Sequence, residues 1–371
     1  MLKLMHTGDL HLGREYQKQK VEAPAVAQRY QEARKEALEN VVRLAEQEQC
    51  DVLVVAGDVF DSHSVPVSLV RETADLLAGC VCPVVVLPGN HDYCEGPEDK
   101  LWKNFREYAG ENTMLLTEAK PVTVGNMVFY PCPCTDRYAE GNALDWVKAL
   151  GDRASDQIHI GLAHGALEGL SFDREKRYYY MTRQELEAAG MDLWLLGHTH
   201  VPYPNAAEIR DQRIFNAGTP QQTDVADNAE GTAFVIEVGE DKHVKARRLH
   251  TGVLSFVRRD VVLRHGDSLA EALDRAGEGL PKDVTTLRLT LSGVALAEEY
   301  QDRKALYDRA ADGYLKLEID DDDLRQEITE EMIDRETLDG TLENRLLKRY
   351  LDRPELLDLA YDLVRQCREE A

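Results

Sequence analysis

Apolar and polar positions follow one grammar over roughly the first 250 residues. Short apolar runs of strand length are separated by stretches whose apolar residues recur three and four apart. Residues 2–7 make a first strand, and the run Val52-Leu53-Val54-Val55-Ala56 predicts a strand buried on both faces. Between them, Val26, Tyr30, Ala33, Ala37, Val41 and Leu44 predict an amphipathic helix over 25–49. Residues 68–78 predict another helix and 84–87 the next strand. Gly125-Asn126 between two apolar stretches predicts a hairpin over 122–130. Further strands are expected at 158–163, 193–196, 213–215, 232–238 and 244–249. The mixture predicts an α/β fold, a two-sheet β-sandwich with flanking helices.

After about Gly252 the pattern changes. Strands at 256–263, 285–292 and 314–319 alternate with helices at 268–276 and 297–311, with Leu287, Leu289 and Leu291 in strict alternation. That order predicts a small separate α/β domain. From Asp320 onward the chain reads as helical and amphipathic, and Pro354 stands where a new helix would start. The expected division is 1–252, 253–319 and 320–371.

Bulk properties narrow the class. The chain has 371 residues, 43% hydrophobic and 30% charged, which suits two soluble domains and a tail. No apolar run approaches the ~20 residues that cross a bilayer. The N-terminus lacks the apolar stretch of a signal peptide, so a cytoplasmic protein is the plain expectation. Seven cysteines, an odd number without a CxxC pair, argue against a disulfide framework or a zinc ribbon. They read as reduced and mostly buried. The net charge of −24 runs against a protein that holds nucleic acid alone. Between Glu318 and Asp339 there are eleven acidic residues and two basic ones, a run that also suits a solvated face.

Five segments carry the chemistry: Asp9-Leu10-His11, Gly57-Asp58-Val59-Phe60-Asp61, Gly89-Asn90-His91-Asp92, Ala163-His164-Gly165 and Gly197-His198-Thr199-His200. Each follows an apolar run, so each is expected in a loop at a strand's C-terminal end, where open α/β sheets bind ligands. Phosphodiesters resist attack because their oxygens are anionic. Two divalent metals ~3.5–4 Å apart stabilise both the attacking and the leaving oxygen and acidify water. Mixed imidazole and carboxylate ligands suit Mn, Fe or Zn better than Ca. Any one segment alone is also what a turn or a satisfied buried histidine looks like. All five in this order are not.

The order and wording of these motifs resemble the calcineurin-like metallophosphoesterase superfamily over residues 1–250. Within it the chain is similar to the SbcD-type DNA repair nucleases, in their shorter bacterial branch. The narrower likeness rests on His6-Thr7-Gly8-Asp9-Leu10-His11-Leu12-Gly13, on Gly57–Asp61 followed by Pro66, and on Asn216-Ala217-Gly218-Thr219-Pro220. Gly8 and Leu10 depart from the family's commonest wording, at positions that are not ligands. The resemblance implies one metal on Asp9, His11, Asp58 and His200, and another on Asp58, Asn90, His164 and His198, with Asp58 bridging. It implies that His91 acts beside the scissile phosphate without binding metal, and that Asp92 orients His91. It further implies manganese, 3′-to-5′ exonuclease and endonuclease activity on DNA, a capping domain, helices that dock on an SMC-like (SbcC-type) ATPase, and a homodimer. A small-molecule or cyclic-nucleotide phosphodiesterase and an inactive adaptor are the alternatives. The region after 252 counts against the first and the complete ligand set against the second.

Substrate contacts are expected in two places. The segment Asp173-Arg174-Glu175-Lys176-Arg177-Tyr178-Tyr179-Tyr180 mixes basic and aromatic residues, as phosphate contact with base stacking would require. Arg14, Tyr16 and His63 stand near the first two motifs and are further candidates. Solvated charges and an ordinary loop histidine remain open for all of these. The leucines between 342 and 367 supply an amphipathic face for a partner or for the chain's own second domain.

Overall fold

A computed structural model describes residues 1–139, 141–151, 154, 156–171, 173–224 and 230–369. The chain divides into two compact units, Met1–Ser255 and Phe256–Ala371.

In the first unit, β1 (Leu2–Thr7), β2 (Val52–Ala56), β3 (Val84–Leu87) and β4 (Thr113–Leu115) lie parallel to one another. Then come β5 (Val122–Val124), β6 (Met127–Cys132), β7 (Ile158–His164), β8 (Leu193–Gly197), β9 (Glu208–Arg210), β10 (Ile214–Asn216), β11 (Thr232–Val238) and β12 (Val244–His250). One sheet runs β4-β3-β2-β1-β11-β12-β9 and the other β10-β8-β7-β6-β5. In the second sheet, β6, β7, β8 and β10 are also parallel.

Alternation along the central strands decides what each face meets. Leu4, Val54, Ala56, Val85 and Leu87 of the first sheet pack against Phe129, Ile160, Leu162, Leu195 and Phe215 of the second. The intervening residues, Met5, Leu53, Val55, Val84 and Val86, meet the helices Pro24–Gln47, Val67–Ala78 and Lys100–Tyr108. On the far side, Val128, Tyr130, Trp194 and Leu196 pack on the helix Arg183–Ala188. The result is a four-layer sandwich, helix–sheet–sheet–helix. Parallel strands in both sheets bring several C-terminal ends to one edge. Among the described residues, no helix is long and apolar enough to cross a membrane.

The second unit holds β13 (Ser255–Leu263), β14 (Thr285–Ala295) and β15 (Lys316–Gln326) in that order, with β14 and β15 parallel. Helices Leu269–Ala276 and Arg303–Ala311 supply part of its core. Two expectations are corrected here. The helix expected over 297–311 is interrupted at Asp302, giving Ala297–Gln301 and Arg303–Ala311. Residues 320–326 are extended, not helical, and the boundary expected at 319/320 falls inside β15. Four aspartates in a row carry no strand signal, since Asp is poor in strands. Parallel pairing with β14 overrides that, from Thr290↔Asp320 through Ala295↔Gln326. Charged residues on an edge strand also discourage unwanted pairing. Helices follow at Glu330–Glu336, Leu342–Lys348 and Pro354–Glu369, with Ile333, Leu347, Leu357 and Ala360 in a small core of their own.

Phe129 is fully buried between the two sheets. Phe129→Ala is expected to lower unfolding free energy by about 3–5 kcal/mol, read from the shift of the urea midpoint.

Candidate metal centre

All five motifs lie where the strands end. Asp9 and His11 follow β1, Asp58 follows β2, Asn90 and His91 follow β3, His164 closes β7, and His198 and His200 follow β8. Backbone bonds lock the first two loops together: Asp9 N–H donates to the Gly57 carbonyl at 3.0 Å and His11 N–H to the Asp58 carbonyl at 2.9 Å. Asp9, His11, Asp58 and His198 all have positive φ, at 53°, 45°, 50° and 101°. Such backbone is uncommon outside glycine and clusters at functional sites. Glycine is required beside it. A Cβ on Gly89 would stand 2.1 Å from Asp58 Oδ1, and one on Gly57 would stand 2.1 Å from His164 Nδ1.

The side chains converge. Asp58 Oδ2 lies 3.3 Å from His164 Nε2 and 3.5 Å from His11 Nε2. Asp58 Oδ1 accepts from His91 N–H at 2.9 Å. The Asn90 amide oxygen faces His164 Nε2 at 3.1 Å and His198 Nδ1 at 2.9 Å, while its nitrogen has no partner. His11 Nε2 and His200 Nε2 are 3.0 Å apart. Asp9 accepts from the His198 N–H and lies 3.9 Å from His200 Nε2. Thus Asp9–His11–His200, Asp9–Asp58–His164 and His11–Asp58–His91 each present ligand atoms within 4.8 Å of one another. A ring nitrogen of His91 therefore joins a potential ligand group, although the resemblance sets this residue apart from the metals.

The electrostatics fit a divalent cation. Burial pushes the Asp9 carboxyl up to about 8, and the charge of Asp58 adds to the rise. Burial and Asp58 likewise push Asp92 up to about 7. Burial also works to raise Asp58, but His164, His11 and His91 outweigh it and hold the carboxyl below the usual range. Among the described residues, the ion-pair partners of Asp9 and Asp58 are all histidines. Burial lowers His11 and His200, and brings His198 down to about 3, which favours their neutral, lone-pair forms, whereas for His164 burial is outweighed by the charges of Asp58 and Asp9, which raise it to about 9. Two neutral imidazole nitrogens 3.0 Å apart need a proton or a cation to share. Crowded carboxylates, neutral imidazoles and an amide oxygen make a hard-to-borderline donor set.

The remaining expected residues are placed differently. Among the described residues no hydrogen bond or ion pair joins Asp92 to the His91 ring, in contrast to the expectation that Asp92 orients it. Its oxygens accept from Phe60 N–H at 3.0 Å and Gly89 N–H at 2.7 Å, tying two motif loops together. The His91 ring instead faces the Asp61 carbonyl through Nδ1 at 3.1 Å. The Asp61 carboxylate meets His11 Nδ1 at 3.1 Å, so one residue orients two histidines. The sequence shows Asp61 in its motif but not which histidine it would reach. Tyr178 sets its ring 5.2 Å from that of His198, and Tyr138 lies 5.3 Å beyond. Arg174, Lys176 and Arg177 are exposed around this pair; Lys176 lies over Tyr180 and Arg177 pairs with Glu175. Arg14 lies over the Tyr16 ring at 5.9 Å. His63 packs against Tyr93 and lies 3.7 Å from Asp99.

The family described as calcineurin-like phosphoesterase matches residues 2–202, more than half of the chain. The uncharacterized metallophosphoesterase YhaO of Bacillus subtilis (strain 168) is 24% identical over 247 residues, covering 64% of this chain and 57% of that protein. The SbcD subunit of the nuclease SbcCD of Staphylococcus saprophyticus subsp. saprophyticus is 26% identical over 229 residues, covering 54% of this chain and 57% of that protein. The matched region thus spans little more than half the length of these relatives. The crystal structure of TT1561 of Thermus thermophilus aligns at a TM-score of 0.44 and 13% identity, covering 67% of this chain and 99% of that one.

Asp61→Ala removes the partner of His11 Nδ1. Metal affinity is expected to fall ~10–100-fold, as for other residues that orient a ligand. Calorimetric titration with Mn²⁺ measures it.

Proposed function

The chain belongs to the calcineurin-like phosphoesterase family, whose members are metal-dependent hydrolases, and from that premise we propose that it is a two-metal DNA phosphodiesterase. In this reading it is a Mn²⁺-dependent 3′-to-5′ exonuclease and endonuclease of DNA repair. Asp9, His11, Asp58 and His200 hold one metal, and Asp58, Asn90, His164 and His198 the other. The observation that carries the reading is the convergence of the other six side chains, from both sheets, around the buried Asp58.

The bound metals would supply positive charge to the scissile phosphate and acidify a water. His91 does the proton work. A carbonyl only accepts, so His91 Nδ1, facing the Asp61 carbonyl, carries its hydrogen. Nε2 can then stabilise or protonate the leaving oxygen only when the ring carries a second proton there, and in giving that proton up it returns to the neutral Nδ1–H form. Tyr178 beside His198, with exposed Arg174, Lys176 and Arg177 around it, suits a nucleobase next to a held phosphate. The named nuclease among the relatives supports DNA over a small ester.

The partner reading rests on the second unit. Leu342, Leu356, Leu359 and Leu363 are exposed on the last two helices, while Leu347 and Leu357 fill their local core. That apolar face suits docking on an SMC-like ATPase, and such a partner would hold the DNA that a chain of net charge −24 holds poorly alone.

Labelled double- and single-stranded DNA and a small phosphodiester, each with Mn²⁺ or EDTA, test the activity. DNA cleavage only with Mn²⁺ is expected, and His91→Ala should lower kcat ~10²–10⁴-fold while metal affinity holds. Hydrolysis of the small ester without any cut DNA would sink the nuclease reading. Leu359→Asp with Leu363→Asp is expected to abolish co-purification with a co-expressed SMC-like ATPase and leave Mn²⁺-dependent cleavage unchanged. Retained co-purification would rule out this face.

A further inference from the structure

The peptide group joining Leu10 to His11 is held at both ends. Its N–H, on His11, donates to the Asp58 carbonyl at 2.9 Å. Its carbonyl, on Leu10, accepts from Arg34 Nη1, also at 2.9 Å. Asp9 and His11, on either side of Leu10, both have left-handed backbone. That peptide lies in the three-residue turn that carries both Asp9 and His11, so holding it restrains the backbone between the two side chains.

Arg34 is an unusual residue to find there. It is only 1% exposed, on the inward face of the helix Pro24–Gln47. Its Nε donates to the Tyr16 hydroxyl at 2.8 Å, and the Tyr16 ring lies 5.8 Å from the guanidinium carbon. Its Nη2 has no partner. Gln31, one turn earlier, donates to the Arg14 carbonyl at 3.1 Å, and Tyr30 packs edge-on against Tyr16 with centroids 5.0 Å apart. One helix face therefore grips residues 10–16.

Burying a guanidinium against neutral acceptors is costly, and an unpaired N–H adds to the cost. An apolar side chain of similar volume is often as stable or more so at such a position. Stability alone therefore does not account for arginine. What arginine does that methionine cannot is hold the Leu10 carbonyl and the Tyr16 hydroxyl at once with a planar fork of donors.

We propose that Arg34 is a positioning residue of the metal centre, fixing the Leu10–His11 peptide so that Asp9 and His11 point at the same cation. The proposal goes beyond the nuclease reading and depends only on this cluster binding a divalent metal. Calorimetric titration of the full chain with Mn²⁺ alone tests it, alongside thermal unfolding of the metal-free protein. Arg34→Met is expected to weaken Mn²⁺ binding about 10-fold or more, with the metal-free unfolding temperature unchanged or raised. Arg34→Lys keeps the charge and a donor nitrogen but loses the planar fork, and should fall between the two. A folded Arg34→Met chain with wild-type Mn²⁺ affinity would overturn the proposal. Should that variant not fold, Tyr16→Phe and Arg34→Lys decide: both should lose affinity, and wild-type affinity in both would overturn it equally. The readout is metal affinity, so a chain that binds Mn²⁺ but cuts no DNA removes the nuclease reading and leaves this one testable.

Discussion

A single buried carboxylate organises the centre. Asp58 leaves the end of β2 with a left-handed backbone, accepts the His91 N–H through one oxygen and faces His11 and His164 through the other. Those three histidines come from the ends of β1, β3 and β7, so the charge joins both sheets. An ionised carboxylate in a dry interior is tolerated only when paired or bound to a metal. The requirement explains why so many imidazoles surround it and why Asp9 and Asp92 are pushed toward neutrality beside it. A cation among these residues would relieve a crowding that the protein fold alone creates.

The loops that present these groups are held in sparsely populated backbone. Each left-handed non-glycine residue costs on the order of 1–3 kcal/mol and persists only where its surroundings over-determine it. Here they do. Backbone bonds link Asp9 to Gly57 and His11 to Asp58, Asp92 ties Phe60 to Gly89, and the Asp9 carboxylate takes the His198 N–H. His164 Nδ1 reaches the Ala56 carbonyl across the sandwich at 2.8 Å. These side chains are thereby fixed by one another's loops, which is the preorganisation that a metal site needs.

Charge is distributed unevenly around this core. The run Asp320–Asp323 sits on edge strand β15, in the unit that does not carry the cluster. Near the cluster, exposed basic residues and tyrosines are interleaved at 174–180. Net charge alone is thus a poor guide to what approaches the centre, because local fields set encounter and only within about a Debye length.

The sequence by itself determined the alternation of strand and helix in the first unit, because buried parallel strands read as compact β-branched runs and the helices as periodic ones. It also determined which residue types gather at the strand ends, since five Asp/His/Asn motifs in this order are not what turns or satisfied buried histidines produce. Family membership followed from the same motifs. Tertiary structure alone decided who touches whom. Asp92 lies next to His91 in sequence yet serves the backbone of Phe60 and Gly89, while Asp61, thirty residues away, orients the His91 ring. Arg34 reads as a polar position in a helix and is in fact buried against Leu10. The extended aspartates of β15 follow from pairing with β14, a contact no local propensity records. Spacing along a chain specifies what a loop offers, but the direction of a side chain depends on the neighbours that folding brings to it.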